Sequence, residues 1–123
     1  MINNDSNASI NDLKEMFKKF RDDRNWKQFH TPKNLAQAIS IESNELMEEF
    51  LWKTDEEIEG LFQEEEFRQK VSHELADILA FCINFANVMN IDVTQAINEK
   101  MTHNQKKYPV EKSKGNATKY NQF

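Results

Sequence analysis

The stretch FRQKVSHELADILAFCINFANVM, residues 67–89, carries a long apolar pattern. Its large apolar side chains recur every three or four positions, which is the period of one face of an α-helix. The pattern therefore predicts a long helix at the centre of the core. Its apolar positions are Phe67, Val71, Leu75, Ile78, Leu79, Cys82, Phe85 and Met89.

Capping signals predict where two earlier helices begin. Ser9 and Asp12 have the spacing of a capping box, and apolar residues follow them at helical period. Thr31 has the position of an N-cap and Pro32 that of the first helical residue, where proline's missing N–H is not needed. We expect this second helix to run to about Lys53.

The remaining segments complete an all-α pattern. We expect the third helix to start near Glu64, after an acidic connector that begins at Thr54. Asp92 and Gln95 form a capping pair for a fourth helix, which Pro109 would stop. Because the chain has only two glycines and two prolines, it has few residues suited to tight β-turns or to phosphate-binding glycine loops.

The length and composition fit one domain. The 123 residues are 38% hydrophobic and 30% charged, which is enough for a modest core that a second copy could help to complete. We predict a flexible N-terminus over residues 1–8, a four-helix domain over residues 9–110, and a polar C-terminal tail over residues 111–123. The order of that tail would depend on substrate or on a partner subunit.

The net charge and the cysteine usage limit the partners. A net charge of -5 argues against binding to nucleic acid polymers or to anionic membranes. The single cysteine, Cys82, cannot form an intrachain disulfide, and neither a signal peptide nor an apolar run of membrane-spanning length is present. We expect a cytoplasmic protein.

Acids interrupt the apolar faces of the second and third helices. Glu42 falls inside the apolar sector of the second helix, and Glu45 and Glu49 fall on its flank. On the third helix, Glu74 lies at the edge of the apolar stripe and Asp77 lies further round the same side. At about 1.5 Å per residue, the two pairs are roughly 12 and 15 Å from the turn, so an antiparallel hairpin would bring them together.

Four converging carboxylates would repel one another, so either their pKa values rise or a divalent cation neutralises them. Ligation by carboxylate oxygens suits Mg²⁺ or Mn²⁺, whereas zinc prefers histidine or cysteine. A di-iron carboxylate bundle is a rival, but it requires Glu-x-x-His, and HELAD places His73 before its glutamate. Solvated surface acids are the other alternative, since the chain contains 21 acidic residues.

A polar stripe continues the apolar face of the fourth helix. Lys100, Asn104 and Lys107 follow one another at spacings of four and three, which aligns them along one side of the helix. Beside an acidic metal centre such a stripe could hold phosphate oxygens. The alternative is that lysines near a helix C-terminus only complement the helix dipole.

Aromatic residues concentrate near the second helix. Trp26, His30 and Trp52 are candidates for stacking on a nucleobase or for hydrogen bonding to it. Packing of the loop against the core is the alternative explanation for all three, and for Phe29 it is the one we favour.

Several motifs together resemble a known family. ESNEL at residues 42–46, ELAD at residues 74–77, NWKQFHTPKNLA upstream, FLWK after the first motif and KMTHNQKKYP downstream occur in the chain. In this order they closely resemble the MazG-like all-α nucleoside triphosphate pyrophosphohydrolases, and most of all the dCTP pyrophosphatase branch. The similarity extends over roughly residues 9 to 120.

The resemblance implies a four-helix protomer that assembles as a homodimer or as a dimer of dimers, a homotetramer. It also implies hydrolysis of a deoxynucleoside triphosphate, with dCTP or a modified dCTP expected, to the monophosphate and pyrophosphate in nucleotide-pool house-cleaning. By motif match, the Mg²⁺ ligands would be Glu42, Glu45, Glu74 and Asp77. Glu45 or Glu49 would accept the proton of the attacking water.

The resemblance further implies which residues hold the nucleotide. In dCTP-preferring relatives, the segments matching Trp26, His30 and Trp52 enclose the base and sugar. A tyrosine is familiar in that branch where this chain has Phe81, so a hydroxyl hydrogen bond is missing and the base preference stays open. The segment KSKGNATKY resembles the family's basic tail, whose Lys114 and Lys119 would close over the phosphates.

Two other classes of protein use the same residues differently. A catalytically silent helical module could bind nucleotides or partner proteins with this fold, although binding alone would tolerate the loss of one acid. A purely structural bundle would carry the acids as a solvated rim, and divalent cations would then leave its melting temperature unchanged.

Overall fold

Helices make up all the regular structure of residues 2–123, the part of the chain that the computed structural model describes. The expected all-α class is confirmed. No single helix in this part is long and apolar enough to cross a membrane, and only α4 and α5 taken together meet that test of length and composition. The helices are α1 Ile10–Asp23, α2 Pro32–Glu48, α3 Asp55–Leu61, α4 Glu65–Met89, α5 Val93–Lys107 and α6 Val110–Ser113, with 3-10 helices at Lys27–Phe29 and Tyr120–Gln122.

The predicted caps start α1 and α2. The backbone N–H of Asp12 donates to Ser9 Oγ at 3.0 Å, and the backbone N–H of Ser9 donates to Asp12 Oδ2 at 2.9 Å. Thr31 Oγ1 accepts a hydrogen bond from the backbone N–H of Asn34 at 3.2 Å, and Pro32 is the first helical residue. These bonds satisfy N–H groups that have no partner within the helix.

The predicted boundaries of α4 and α5 are also confirmed. Glu64 is the N-cap of α4, and Asn90 ends that helix in the left-handed conformation with φ of 53°. Asparagine tolerates this conformation better than most residues. Asp92 Oδ1 then accepts a hydrogen bond from the backbone N–H of Gln95 at 2.8 Å, which starts α5.

The segment after α2 differs from the prediction. α2 ends at Glu48 and not near Lys53, and the acidic connector contains a short helix, α3. Thr54 Oγ1 accepts a hydrogen bond from the backbone N–H of Glu57 at 3.2 Å. The acids that follow Thr54 lie in the first turn of α3, where negative charge complements the helix dipole. A capping residue followed by acids is typical of a helix start. We read this segment as a solvated connector because it contains so many acids.

The compact unit that extends to Asn90 contains α1 to α4, and within it α4 packs against both α1 and α2. Leu35 of α2 and Ile83 and Ala86 of α4 are its most deeply buried apolar residues. The Asn87 side-chain amide donates to the Lys14 carbonyl oxygen at 3.1 Å, which ties α4 to α1. α4 is therefore the central helix, as its apolar stripe predicts.

Three phenylalanine rings bring the segments that follow α2 and α3 together with the start of α4. The rings of Phe62 and Phe67 meet edge to face at 5.3 Å between centroids, and Phe50 lies 6.3 Å from Phe62 and 6.2 Å from Phe67. These separations lie in the favourable range for aromatic pairs. The cluster fixes the end of α2 relative to the start of α4.

Part of the apolar stripe that we assigned to the core is exposed in the single chain. Leu75 is 48% exposed, Leu79 is 51% exposed and Met89 is 48% exposed. α4 has apolar residues on more than one face, and α1 and α2 cover only some of them. Helical period alone cannot tell a face that is covered within the chain from one that is not.

The second compact unit extends from Ile91 to Phe123. Within it, the Tyr108 ring contacts the rings of Tyr120 and Phe123, each at 5.9 Å between centroids. Lys107 Nζ lies 4.8 Å from the centre of the Tyr120 ring. These contacts hold the chain end against α5. The domain boundaries at residues 8 and 110 stay predictions.

Candidate active site

Three carboxylates from two helices meet in the first unit. Glu42 and Glu45 of α2 and Glu74 of α4 each offer an oxygen, and these oxygens all lie within 4.8 Å of one another. The i, i+3 spacing places Glu42 and Glu45 on one side of α2, and the packing of α2 on α4 brings Glu74 to them. The structure therefore brings together three of the four acids that the motifs single out.

Two of these carboxylates have an oxygen without a partner. Glu42 Oε2 and Glu74 Oε2 are buried, and neither has a hydrogen-bond partner among residues 2–123. A buried charged oxygen without a partner is costly. Oxygen atoms of this kind, close to one another, are the ligands that hard divalent cations take. The donor set fits a divalent cation.

The crowding of these acids changes their protonation. Desolvation raises the pKa of Glu42, and the neighbouring carboxylates of Glu45, Asp77 and Glu74 raise it further. Desolvation also raises the pKa of Glu74, and the charge of Glu45 adds to this effect. Both causes disfavour the charged form. Without a cation, Glu42 and Glu74 bind their protons more tightly than free glutamates do.

Asp77 and Glu49 lie beside the cluster in different settings. Asp77 is exposed, and its charge contributes to the raised pKa values of both Glu42 and Glu74. Glu49 is paired instead with Lys70, whose Nζ lies 3.3 Å from Glu49 Oε1. The Glu49 side chain is only 14% exposed, so this ion pair is screened less than a surface pair.

A cavity of about 340 Å³ opens next to the acids, between α1, the loop that follows it, and α4. Asp77 lines this cavity, and its charge also contributes to the raised pKa values of Glu42 and Glu74, so it lies near both the cavity and the acidic group. Most of the wall is apolar and aromatic, and a few polar side chains in it can form hydrogen bonds to a ligand. The lining residues are Met16, Phe17, Phe20, Arg21, Trp26, His30, Asp77, Ala80, Phe81 and Asn84.

The loop after α1 holds an aromatic ring at this cavity. The backbone N–H of Trp26 donates to the Arg21 carbonyl oxygen at 3.0 Å, and Asn25 turns the chain with φ of 55°. The Trp26 ring meets the Phe20 ring edge to face at 5.8 Å. The loop is therefore ordered by its own contacts, and it presents the Trp26 ring to the cavity.

His30 lies at the end of the same loop. Its Nδ1 atom is buried and has no hydrogen-bond partner among the described residues. Desolvation lowers the pKa of His30, and the charge of Arg21 lowers it further. The imidazole is therefore neutral near pH 7, and it can donate or accept a hydrogen bond inside the cavity.

Comparison with known proteins agrees with this geometry. A profile of the MazG-like family matches residues 37–123. The chain belongs to the MazG-like family. It is 37% identical to dCTP pyrophosphatase 1 of Bos taurus and 36% identical to that of Mus musculus, over 94% and 91% of its own length. It spans about two thirds of these relatives, 68% and 66% respectively.

A solved structure supports the same assignment. The MazG-like chain matches the crystal structure of a pyrophosphatase from Archaeoglobus fulgidus with a TM-score of 0.75 and 38% identity, over 89% of this chain and 99% of that one. Sequence identity at this level indicates a shared branch of the family as well as a shared fold. The MazG-like chain is a nucleoside triphosphate pyrophosphohydrolase of the dCTP pyrophosphatase branch.

The structure brings only some of the predicted binding residues to the cavity of this MazG-like chain. Trp26, His30 and Phe81 line it, as the motifs suggest. Trp52 does not, because it is 93% exposed on the turn after α2, where its φ of 62° places it in the left-handed conformation. Phe29 also lies outside the cavity and is exposed, so it is not a core residue of the loop.

The predicted phosphate-binding residues of the MazG-like chain all lie in its second unit. Lys100, Asn104 and Lys107 belong to α5, and Lys107 is the residue that lies over the Tyr120 ring. Lys114 follows α6, and Lys119 precedes the last 3-10 helix. Their roles stay predictions.

Two polar residues of the cavity were missed by the sequence analysis. Arg21 is only 7% exposed and Asn84 only 9% exposed, although both are polar. A signal for Arg21 was available, because it follows Phe17 by four residues and therefore continues the apolar face of α1. Asn84 follows Phe81 by three residues on α4 in the same way.

Proposed function

We propose that this MazG-like enzyme hydrolyses dCTP or a modified dCTP to the monophosphate and pyrophosphate, as a cytoplasmic house-cleaning enzyme. The observation that carries the proposal is the position of Asp77, which lines the aromatic cavity and lies near enough to the acidic group to raise the pKa of Glu42. A triphosphate bound through cations at the acids would have its base within reach of the cavity. The dCTP pyrophosphatases of cattle and mouse provide the substrate by similarity.

The proposed Mg²⁺ ligands are Glu42, Glu45, Glu74 and Asp77. The unpartnered oxygens of Glu42 and Glu74 support this assignment, and so does the absence of histidine or cysteine from the cluster among the described residues. Bound Mg²⁺, for which Mn²⁺ could substitute, would neutralise the triphosphate and lower the pKa of the attacking water. The four carboxylates on α2 and α4 would hold the cation, since acids of like charge would otherwise repel the phosphates.

A carboxylate must also accept the proton of the attacking water. Glu45 and Glu49 are the two candidates, and we favour Glu49. Glu45 lies within the proposed ligand set, so its oxygens would be engaged by the cation. Glu49 lies next to the cluster and outside the three converging acids, and it pairs with Lys70.

The base would enter the cavity between α1 and α4. The Trp26 ring offers a face for stacking, and the neutral His30 offers a hydrogen bond. Phe81 adds apolar area without a hydroxyl. A phosphate-binding role for Lys100, Asn104, Lys107, Lys114 and Lys119, which the motifs suggest, is part of the proposal.

A second copy of the chain would complete the site. Trp52 is exposed in a strained backbone conformation, and neighbouring Met47 and Leu51 are exposed as well. Leu75 and Leu79 of α4 add further exposed apolar area. Monomers rarely leave so much apolar surface uncovered, which supports a homodimer or homotetramer in which Trp52 stacks on a base held by another subunit.

A substrate panel tests the proposal. The full chain is incubated with each dNTP and NTP in the presence of Mg²⁺, and pyrophosphate and orthophosphate release are measured separately. We expect pyrophosphate from dCTP at the highest kcat/KM, which identifies the α-phosphorus as the site of attack. Release of orthophosphate alone would contradict the reaction. Tight dCTP binding without turnover would instead indicate a catalytically silent nucleotide-binding module.

A further inference from the structure

We propose that Arg21 sets the base preference of this enzyme by donating two hydrogen bonds to adjacent acceptor atoms on the edge of a cytosine ring. The inference rests on the proposed function, because it takes the cavity between α1 and α4 as the place where the base binds. It assigns a specificity-determining role to a residue that none of the motifs includes.

The setting of Arg21 leaves its charge with a single carboxylate partner in the described chain, Asp22. Its side chain is buried on the apolar face of α1 and lines the cavity with Phe17 and Phe20. A buried charge without hydrogen-bond partners is strongly unfavourable. Within residues 2–123, the guanidinium makes one side-chain hydrogen bond, from Nε to Asp22 Oδ1 at 2.8 Å. Its two Nη atoms are not among the buried atoms without a partner, so water reaches them and a ligand can take the place of that water.

The neighbouring contacts keep the guanidinium in place. The bond to Asp22 anchors the Nε edge, and that carboxylate has a lowered pKa because it accepts the hydrogen bond from Arg21. The Arg21 carbonyl oxygen also accepts a hydrogen bond from the backbone N–H of Trp26. Arg21 therefore also helps to position Trp26, the proposed stacking residue. A base stacked on Trp26 would lie beside the Arg21 fork.

The cavity contains no second permanent cation among its described lining residues. His30 is kept neutral by desolvation and by the charge of Arg21, which lower its pKa. Asn84 is buried and contributes a side-chain amide to the cavity wall. The polar wall thus consists of one fork of donors, one neutral imidazole and one amide, with Asp77 at the end nearest the acids.

This wall distinguishes cytosine from thymine and uracil. Cytosine presents O2 and N3 side by side as acceptors, whereas thymine and uracil present an N3–H donor beside O2. A guanidinium has only donors, arranged as a planar fork. It therefore pairs with the cytosine edge and opposes the N3–H of thymine. The Asn84 amide can rotate to accept from a 4-amino group or donate to a 4-oxo group, so Asn84 adds affinity without discrimination.

The test compares dCTP with dTTP in variants of the full chain with Mg²⁺. For Arg21→Met, we expect the ratio of kcat/KM for dCTP to that for dTTP to fall at least about tenfold, the scale of one bidentate base contact. Arg21→Lys keeps the charge and loses the fork, so the ratio falls in this variant too. Asn84→Leu should weaken the use of both nucleotides equally. Lys19→Met, an exposed neighbour on α1 paired with Asp23, is the matched control and should leave the ratio unchanged.

Thermal melting of each variant separates specificity from stability, because a purely structural arginine would lower the melting temperature and leave the ratio as it is. A ratio within twofold of the wild type in folded Arg21→Met or Arg21→Lys overturns the inference, and so does wild-type preference for dTTP or dGTP. If no nucleotide is hydrolysed, the proposed function fails by itself. The dissociation constants of dCMP and dTMP, measured by calorimetry, then test Arg21. Their ratio should change in Arg21→Met as the ratio of kcat/KM is expected to.

Discussion

At the scale of single residues, the Glu42 carboxylate connects the stability of the protein to its chemistry. Its raised pKa means that the folded state holds this proton more tightly than the unfolded state does. The favourable contribution is present below the ordinary glutamate pKa and is lost as pH rises through the folded pKa. At neutral pH, the cluster therefore destabilises the metal-free protein.

Replacing Glu42 by glutamine tests this cost and the metal site together. In a chelating buffer, Glu42→Gln should melt at a higher temperature than the wild type at pH 7, with the difference vanishing near pH 4. With Mg²⁺, activity should fall by more than about 100-fold, because loss of a ligand exceeds the loss caused by outer-shell changes. Glu48→Gln on the exposed side of α2 is the control. Full activity in Glu42→Gln would reject the ligand assignment.

Glu49 allows a second test at this scale. Glu49→Gln should lower kcat by about 10² to 10⁴-fold, the range for loss of a general base, while the stabilisation by Mg²⁺ stays as in the wild type. Lys70→Met breaks the same ion pair and leaves the carboxylate in place, so it separates pairing from proton transfer. Equal losses of kcat in both variants would reduce Glu49 to a structural partner, and Glu45 would then be the proton acceptor.

At the scale of elements, α3 and the phenylalanine cluster decide how α2 and α4 meet. Helical period locates the acids on each helix, but their convergence depends on the way the two helices pack. Phe62 comes from the segment that we read as a connector, and its ring contacts both Phe50 and Phe67. α3 is therefore part of the structure that positions the acids.

Truncation of Phe62 tests that role. Phe62→Ala should lower the free energy of unfolding by about 2 kcal/mol, less than for a fully buried ring because Phe62 is half-buried. Urea unfolding measures this change, and an increased Mg²⁺ requirement for turnover would accompany it. Phe29→Ala, in an exposed position, should cost less than about 0.5 kcal/mol. Equal effects of the two substitutions would contradict a positioning role for the cluster.

At the scale of the whole molecule, the exposed apolar residues of α4 are the main departure from the expected core. Leu75 and Leu79 were assigned to the interior, and both are about half exposed in the single chain. Their exposure follows from the number of helices available, since α1 and α2 cannot cover every face of α4. A second copy of the chain is the proposed cover.

A charged substitution on this face tests the assembly. Leu79→Glu should shift the protein toward the monomer in light scattering coupled to size-exclusion chromatography, because a charge buried between subunits is costly. Activity should fall with it if a second subunit supplies Trp52 to the site. The exposed Lys19→Met variant should keep the wild-type mass. A monomeric wild type with full activity would contradict both the proposed assembly and the contribution of Trp52 by a second subunit.

Cation binding gives a further measurement on the whole chain. Mg²⁺ at 100 times its dissociation constant should stabilise the fold by about 2.7 kcal/mol, since the cation binds only the assembled acids. The shift in melting temperature on adding Mg²⁺, and its reversal by a chelator, measures this. It should be absent in Glu74→Gln. If Mg²⁺ did not shift the melting temperature of the wild type, the acids would be solvated surface residues and not a metal site.

The sequence by itself determined where the main helices begin and which atoms are available for chemistry. Capping bonds involve residues three apart, so Ser9, Thr31 and Asp92 could be recognised from local spacing alone. The i, i+3 acids have the same local character. Family resemblance added the reaction, because motifs in a fixed order carry information that period and composition lack.

Only the tertiary structure decided which groups share a site. The approach of Glu74 to Glu42 and Glu45, the burial of Arg21 in the cavity wall and the exposure of Leu79 each depend on which helix covers which face. Helical period gives the direction of a side chain around its own axis, and it does not give the neighbour in that direction. Packing supplies that neighbour, and with it the raised pKa values of the acids and the place of Arg21 in the cavity wall.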